Sequence, residues 1–305
     1  MKLSSSKIFD ALKQIGLRPS GEPVFVVSGW EADIWSCETE NGPIAIRIYN
    51  DSISPDRAAF EAVTMRELEL AGYPAALVFH FEPDPTFVGG PFLVMDHLPG
   101  GDLWEAGWKP SKIAAEMHSL LDELHSIPTI AFDDIPSDPY AWVHDAGRRV
   151  AEQFPGFADV LKWVYTRLRH VKPQLTPCHM DLHPGNILLD QEGEPWVIDW
   201  TSFRITDPRL DTTWTHLLAE IYSPELATAF ANGTPQPDVE VFRVITAVRR
   251  LVSFLWGTLP EGSPSEKARV EALSHAAELR VPEKWITEIT GFYIPEVEAT
   301  LDAYL

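Results

Sequence analysis

The feature that most constrains this 305-residue chain is a change of texture at Pro99-Gly100-Gly101. Before it, VFVV at 24–27 and IAIRIY at 44–49 are short β-branched runs, set off by turn signals at Ser28-Gly29 and Asn41-Gly42-Pro43. From Pro55 to about Ala71, Phe60, Val63, Met65, Leu68 and Leu70 fall at helical spacing, and Gly72 with Pro74 supplies a stop. AALVF and PFLVMDHL read as two further strands. After Gly101 the segments 111–126, 140–170 and most of 209–305 favour helix formers, with apolar residues three and four apart. The exception lies between Pro177 and about Thr201, where NILLD and PWVIDW flank a turn at Gly193 and predict a small hairpin inside the helical half. A strand-rich unit followed by a mainly helical one implies an α+β architecture, with the boundary at residues 98–99.

Composition narrows the partners. With 45% hydrophobic and 23% charged residues the chain buries a sizeable core without disulfides. Against 45 Asp and Glu stand 24 Lys and Arg, a net charge of −21, so nucleic acid would meet a repulsive average field. Cys37 and Cys178, the two cysteines, cannot form a disulfide framework or a four-thiolate zinc site, and a reducing compartment is expected. No run approaches eighteen apolar residues and the N-terminal stretch has no signal-peptide pattern. A soluble, cytoplasmic protein with no membrane partner is the expectation.

The chemistry concentrates in CHMDLHPGNILLD, which carries His179, Asp181 and Asn186, and in Asp199, thirteen positions after Asn186 at the end of an apolar run. A loop leading into a hairpin can set one carboxylate beside an incoming hydroxyl, while an amide oxygen and a second carboxylate hold Mg²⁺ on nucleotide phosphates. On this reading Asp181 accepts the hydroxyl proton, Asn186 and Asp199 are hard oxygen ligands for the metal, and His179 braces the loop from within. The three oxygen-bearing side chains then serve one magnesium-nucleotide.

These residues resemble the aminoglycoside phosphotransferase and choline kinase-like family, over most of the chain. HMDLHPGNILL looks like its catalytic loop, VIDW like its metal-binding strand end, and DPRLD, with Asp207 and Asp211, like the acidic segment that follows. The resemblance implies a protein kinase-like bilobal fold, with a small antiparallel β lobe carrying one helix at 1–98 and a larger helical lobe at 99–305 that binds the acceptor. It implies ATP and Mg²⁺ as cofactors, a hydroxyl-bearing small molecule as acceptor, and a bracing role for Asp211. Within the first lobe, Arg47 on a strand and Glu61 on the next helix match a cation held over phosphates by a carboxylate. Arg47 stands where protein kinases carry lysine, a planar fork in place of a point charge. By the same resemblance SGWEADIW, with Ser28 and Gly29, covers the phosphates, and MDHLPGG, with Met95, Asp96 and Leu98, joins the lobes and meets adenine.

Other readings compete. A protein kinase needs a long activation segment, yet only seven residues separate Asp199 from Asp207. A metal-dependent hydrolase could use His179, Asp181 and His183 if they alternate on a strand toward zinc. A kinase-like chain that binds nucleotide without catalysis is the third alternative. His118 and His125, seven apart on one helix, read as packed or surface residues, and Trp214, Trp256 and Trp285 as core, with an aromatic acceptor lining helped by Glu220 as the rarer use. The identity of the acceptor is not legible.

Overall fold

A computed structural model describes residues 3–29, 31–51, 53–132, 136, 138–231, 238–258 and 276–304. The chain divides into two compact units, Met1–Ala106 with Gly185–Thr201, and Gly107–Pro184 with Ser202–Leu305. The hairpin of NILLD and PWVIDW, placed in the helical half by sequence, therefore groups by its contacts with the first unit.

The first unit opens with α1, Ser5–Gln14, and then builds a five-stranded antiparallel sheet from β1, Val24–Ser28; β2, Ala32–Thr39; β3, Gly42–Tyr49; β4, Val78–Glu82; and β5, Phe92–Asp96, in the order β1-β2-β3-β5-β4. The two-residue turn Glu40-Asn41 closes β2 onto β3, where Thr39 pairs with Gly42, itself at φ +114°. Helix α2, Pro55–Leu70, lies between β3 and β4; Ser54 caps it, its hydroxyl accepting from the Arg57 amide at 3.2 Å, and Pro55 fits a first-turn position that has no amide to satisfy. Sequence patterning did not single out α1, whose Ile8, Ala11 and Leu12 pack with Trp35, Ile44, Ile46, Ile48 and Phe92 in one apolar core. Central β3 is buried along Ile44–Tyr49, so both its faces are covered and apolar alternation is lost.

The same unit receives a short hairpin, β7, Ile187–Leu189, with β8, Pro195–Val197. Its register, Ile187 opposite Val197, is continued by the Ile198 amide donating to the Asn186 carbonyl at 3.0 Å. Two further backbone bonds seat the hairpin, Leu189 amide to Gly101 carbonyl at 3.0 Å and Val197 amide to Pro74 carbonyl at 2.8 Å.

The second unit is helical apart from β6, Thr176–Cys178, paired antiparallel with β9, Arg204–Thr206. Its helices are α3, Pro110–Ser126; α4, Ala141–Gln153; α5, Ala158–Leu168; α6, Pro208–Tyr222; α7, Pro224–Ala231; α8, Val239–Thr258; α9, Arg280–Thr290; and α10, Pro295–Tyr304. Asp207 caps α6 by accepting from the Arg209 amide at 3.1 Å, while its carboxylate also takes Arg209 Nε and Nη2 at 2.8 Å each and the Tyr140 hydroxyl at 2.6 Å. With the Gln174 amide at 3.2 Å as a fifth donor, this buried charge is matched. Phe157, Leu210, Leu217, Phe242, Val244, Leu251 and Trp285 belong to the apolar core between these helices. No helix among the described residues is long and apolar enough to cross a membrane. The fold is α+β, a small antiparallel sheet unit and a larger helical one, as the change of texture implies.

Candidate active site

In the first unit the sheet delivers Arg47 from the middle of β3, opposite Ile34 of β2 and Leu93 of β5, with 9% of its surface exposed. Helix α2 supplies Glu61, 1% exposed. The guanidinium meets three carboxylates: Nη2 is 2.9 Å from Asp199 Oδ1, Nε is 3.4 Å from Glu61 Oε2, and Nη2 is 3.8 Å from Glu31 Oε2. Glu61 accepts in turn from the Tyr49 hydroxyl at 2.5 Å and from the Trp200 amide at 3.0 Å. The Thr201 hydroxyl donates to Asp199 Oδ1 at 3.0 Å.

Burial disfavours each of these charges. For Arg47 it is outweighed by Glu61 and then Asp199, which hold the guanidinium above its ordinary value. Glu61 and Glu31 sit above the usual carboxylate range chiefly because they are buried, against the pull of Arg47 on both and of the Thr201 hydroxyl on Glu31. Burial and the Glu61 charge push the Tyr49 hydroxyl well up, which keeps it a donor.

Asn186 and Asp199 stand together for a topological reason. Asn186 immediately precedes β7 and Ile198 follows β8, so an antiparallel pair returns Asp199 to the end of the hairpin where Asn186 begins it. Asp199 adopts φ +67°, a left-handed conformation that costs a non-glycine residue about 1–3 kcal/mol. That backbone is held by the Trp200 amide bond to Glu61 and by the Arg47 ion pair. The donor set, one carboxamide 7% exposed and one carboxylate, offers the hard oxygens that Mg²⁺ prefers.

The remaining first-unit candidates occupy two other places. Ser28 ends β1 opposite Asp33, and the Gly29 amide donates to the Ala32 carbonyl at 2.8 Å, closing a tight turn where a β-carbon on Gly29 would come within 3.1 Å of that same oxygen. Met95 and Asp96 pair with Ala45 and Ile44. The Asp96 amide donates to the Leu77 carbonyl at 3.0 Å, and the Leu77 amide returns a bond to Asp96 Oδ2 at 3.1 Å, so these two groups of Asp96 are used in joining β4 to β5. Asp96 and Leu98 line a cleft of about 560 Å³ with Asn41, Pro43, Glu192 and Trp196, which does not include Arg47, Ser28 or Asp199.

In the second unit Asp181 follows β6 on a loop clamped by Asp211 of α6. The His179 amide donates to Asp211 Oδ2 and the Met180 amide to Oδ1, each at 2.8 Å, and His125 Nε2 of α3 lies 3.1 Å from Oδ2. Burial alone would raise the Asp211 carboxyl, but His125 and then His179 and the Met180 amide outweigh it and hold it below the ordinary carboxylate range. Fully buried His179 accepts at Nδ1 from the Asp181 amide, 3.2 Å away. Asp181 Oδ1 accepts from the Trp214 indole at 2.7 Å.

His125, Cys178 and Asp211 offer ligand atoms within 4.8 Å of one another, the one such group among the described residues. Asp211 is already spent on three donors, and burial pushes the Cys178 thiol well up, so the group reads as a brace. The strand on which His179, Asp181 and His183 would alternate toward zinc is absent, since β6 ends at Cys178.

Several residues were not singled out from sequence. Tyr49 carried a signal, because it shares a strand face with Arg47 two residues before it. Trp214 is core as its pattern predicts, 6% exposed, and His125 is packed against Asp211, while the polar contacts of both and of Arg249 have no local signal in the sequence. Trp285 is indeed core, 2% exposed, and its indole donates to Glu220 at 2.9 Å; the side chain of Trp256 lies outside the described residues.

The chain is similar over nearly its whole length to solved phosphotransferases. Aminoglycoside phosphotransferase APH(4)-Ia aligns with a TM-score of 0.69 at 11% identity, covering 94% of this chain and 98% of that one. A choline/ethanolamine kinase family protein from Mesorhizobium loti aligns at 0.64 with 21% identity, covering 98% and 99%. Spectinomycin phosphotransferase APH(9)-Ia, in complex with ADP and spectinomycin, aligns at 0.55 with 13% identity, covering 98% of each. Among curated proteins, acyl-CoA dehydrogenase family member 10 of Mus musculus is 25% identical over 170 residues, half of this chain, which spans 16% of that protein. Residues 24–243, from the first strand to the start of α8, match the sequence pattern of the phosphotransferase enzyme family, and the chain belongs to that family.

Proposed function

We propose that this phosphotransferase moves the γ-phosphoryl group of ATP to a hydroxyl of a small molecule. The hydroxyl oxygen forms a bond to the γ-phosphorus, the bond from that phosphorus to the β–γ bridging oxygen breaks, ADP departs, and the hydroxyl proton passes to Asp181. Asn186 and Asp199 would hold Mg²⁺, which when bound neutralises phosphate charge. Arg47, fixed by Glu61, would meet the phosphates beside the Gly29 turn, and Asp96 with Leu98 would meet adenine. Residues 1–98 would thus meet the nucleotide, and residues 99–305 would supply Asp181, Asn186 and Asp199 and bind the acceptor. ADP in the spectinomycin phosphotransferase complex supports the nucleotide, and the aminoglycoside and choline kinases among the similar structures support a small acceptor.

The observation that carries this reading is the single network joining Arg47, Glu61 and Asp199, with Asn186 at the same end of the hairpin as Asp199. One buried cation matched by three acids, with an amide oxygen at hand, suits a metal-bound polyphosphate better than a structural ion pair alone. Calorimetric titration of ATP with and without magnesium tests it. Asp199→Asn should weaken binding in magnesium by at least tenfold and leave metal-free binding nearly unchanged; equal affinity for both proteins in magnesium would end the metal assignment. A screen of hydroxyl compounds for stimulated ATP consumption then identifies the acceptor.

A further inference from the structure

Asp181 is approached from α6 by a group that can only donate. The Trp214 indole N–H lies 2.7 Å from Asp181 Oδ1, and the Trp214 residue is 6% exposed. An indole has no acceptor atom, so this bond favours an acceptor oxygen of the carboxylate and limits how the group can rotate. The ring itself is fixed from α8, where the Arg249 guanidinium carbon lies 3.8 Å from the ring centroid.

Arg249 also reaches the loop directly, Nη1 donating to the Met180 carbonyl at 2.6 Å. Met180 precedes Asp181 and has φ +66°, a conformation that non-glycine residues keep only when their surroundings impose it. Its amide is taken by Asp211 and its carbonyl by Arg249, so both ends of the strained residue are tied. Arg249 thereby serves two partners, the backbone that aims Asp181 and the ring that holds its carboxylate.

We propose that Trp214 is a positioning residue for Asp181, and that Arg249 couples it to the loop by covering the indole and holding the Met180 carbonyl. The inference rests on Asp181 being the base. Trp214→Phe keeps a ring beneath Arg249 and removes the donor, together with part of the buried ring volume. Loss of a hydrogen bond to a charged group corresponds to about a ten- to hundredfold loss of turnover.

The test uses the full chain and magnesium-dependent ATP hydrolysis, with water as acceptor, alongside the ¹⁵N–¹H indole resonances. Trp214→Phe should lower turnover by that factor with KM for ATP near wild type, the thermal midpoint falling only as the lost core volume requires, and should add no loss of turnover in an Asp181→Asn background. The indole resonance missing from Trp214→Phe should be displaced in Asp181→Asn. Wild-type turnover in Trp214→Phe, or a joint fall in turnover, ATP affinity and thermal midpoint, would overturn the positioning role. If Trp214→Phe does not fold, an indole spectrum unchanged by Asp181→Asn overturns it independently. Should Asp181→Asn itself hydrolyse ATP like wild type, the base assignment fails, while a displaced resonance would still report the contact.

Discussion

Arg47 and Asp199, 152 positions apart in the chain, are joined by a 2.9 Å contact from guanidinium to carboxylate. This places a residue of the central sheet strand against the left-handed residue that ends the short hairpin, and it makes Arg47 the common partner of Asp199, Glu61 and Glu31.

Removing that cation strands buried acids. Arg47→Ala leaves Glu61 at 1% exposure without its counter-charge, a change that costs about 3–5 kcal/mol when one partner of a buried pair is lost. Urea unfolding should show this loss, and the double change Arg47→Ala with Glu61→Gln should recover a substantial part of it. A double variant no more stable than the single one would show that Glu61 is not the stranded group.

Tyr49 offers a smaller and cleaner perturbation. Tyr49→Phe deletes the 2.5 Å donor to Glu61 Oε2 while keeping the ring beside Arg47, and should lower stability by about 1–3 kcal/mol. Thermal unfolding measures it; an unchanged midpoint would mean that Glu61 finds another donor.

Asp211 links stability to pH. Its carboxyl is held below the ordinary range in the folded chain, with burial opposed most strongly by His125, so in acid the unfolded state takes up the proton first. The associated stability is present above the ordinary carboxylate value of about pH 4 and is lost as pH falls through the lower folded value. Urea midpoints between about pH 3 and pH 6 should fall more steeply with acid in wild type than in Asp211→Asn, which should also be less stable at neutral pH. Parallel curves would remove Asp211 from this linkage.

Gly100 is required for close approach of two backbones. A β-carbon there would lie 1.4 Å from the Leu189 carbonyl oxygen, and the next residue, Gly101, accepts the Leu189 amide that seats the hairpin. Gly100→Ala must part the Gly100 backbone from β7, and should destabilise the chain and, on the proposed metal role of Asn186 and Asp199, weaken magnesium-dependent ATP binding. Binding at wild-type affinity would show that the hairpin keeps its place without this contact.

The sequence by itself determined the strand-rich and helical texture, the hairpin of NILLD and PWVIDW and the family motifs, because these are short-range signals: β-branched runs, turn residues, helical spacing and residue order. Helix α2 follows its predicted span of Pro55 to about Ala71 almost residue for residue, since Ser54, Pro55 and Gly72 mark its ends locally. Only the tertiary structure decided which contacts claim the hairpin, that α1 lies in the sheet's core, and that Tyr49 and Glu31 share Arg47 with Glu61 and Asp199. It likewise decided that Trp214, a core residue as its pattern predicts, also donates to Asp181, and that His125 packs onto Asp211. Those relationships depend on where side chains from remote elements meet in a dense interior, and the burial that sets their charges exists only after the chain has folded.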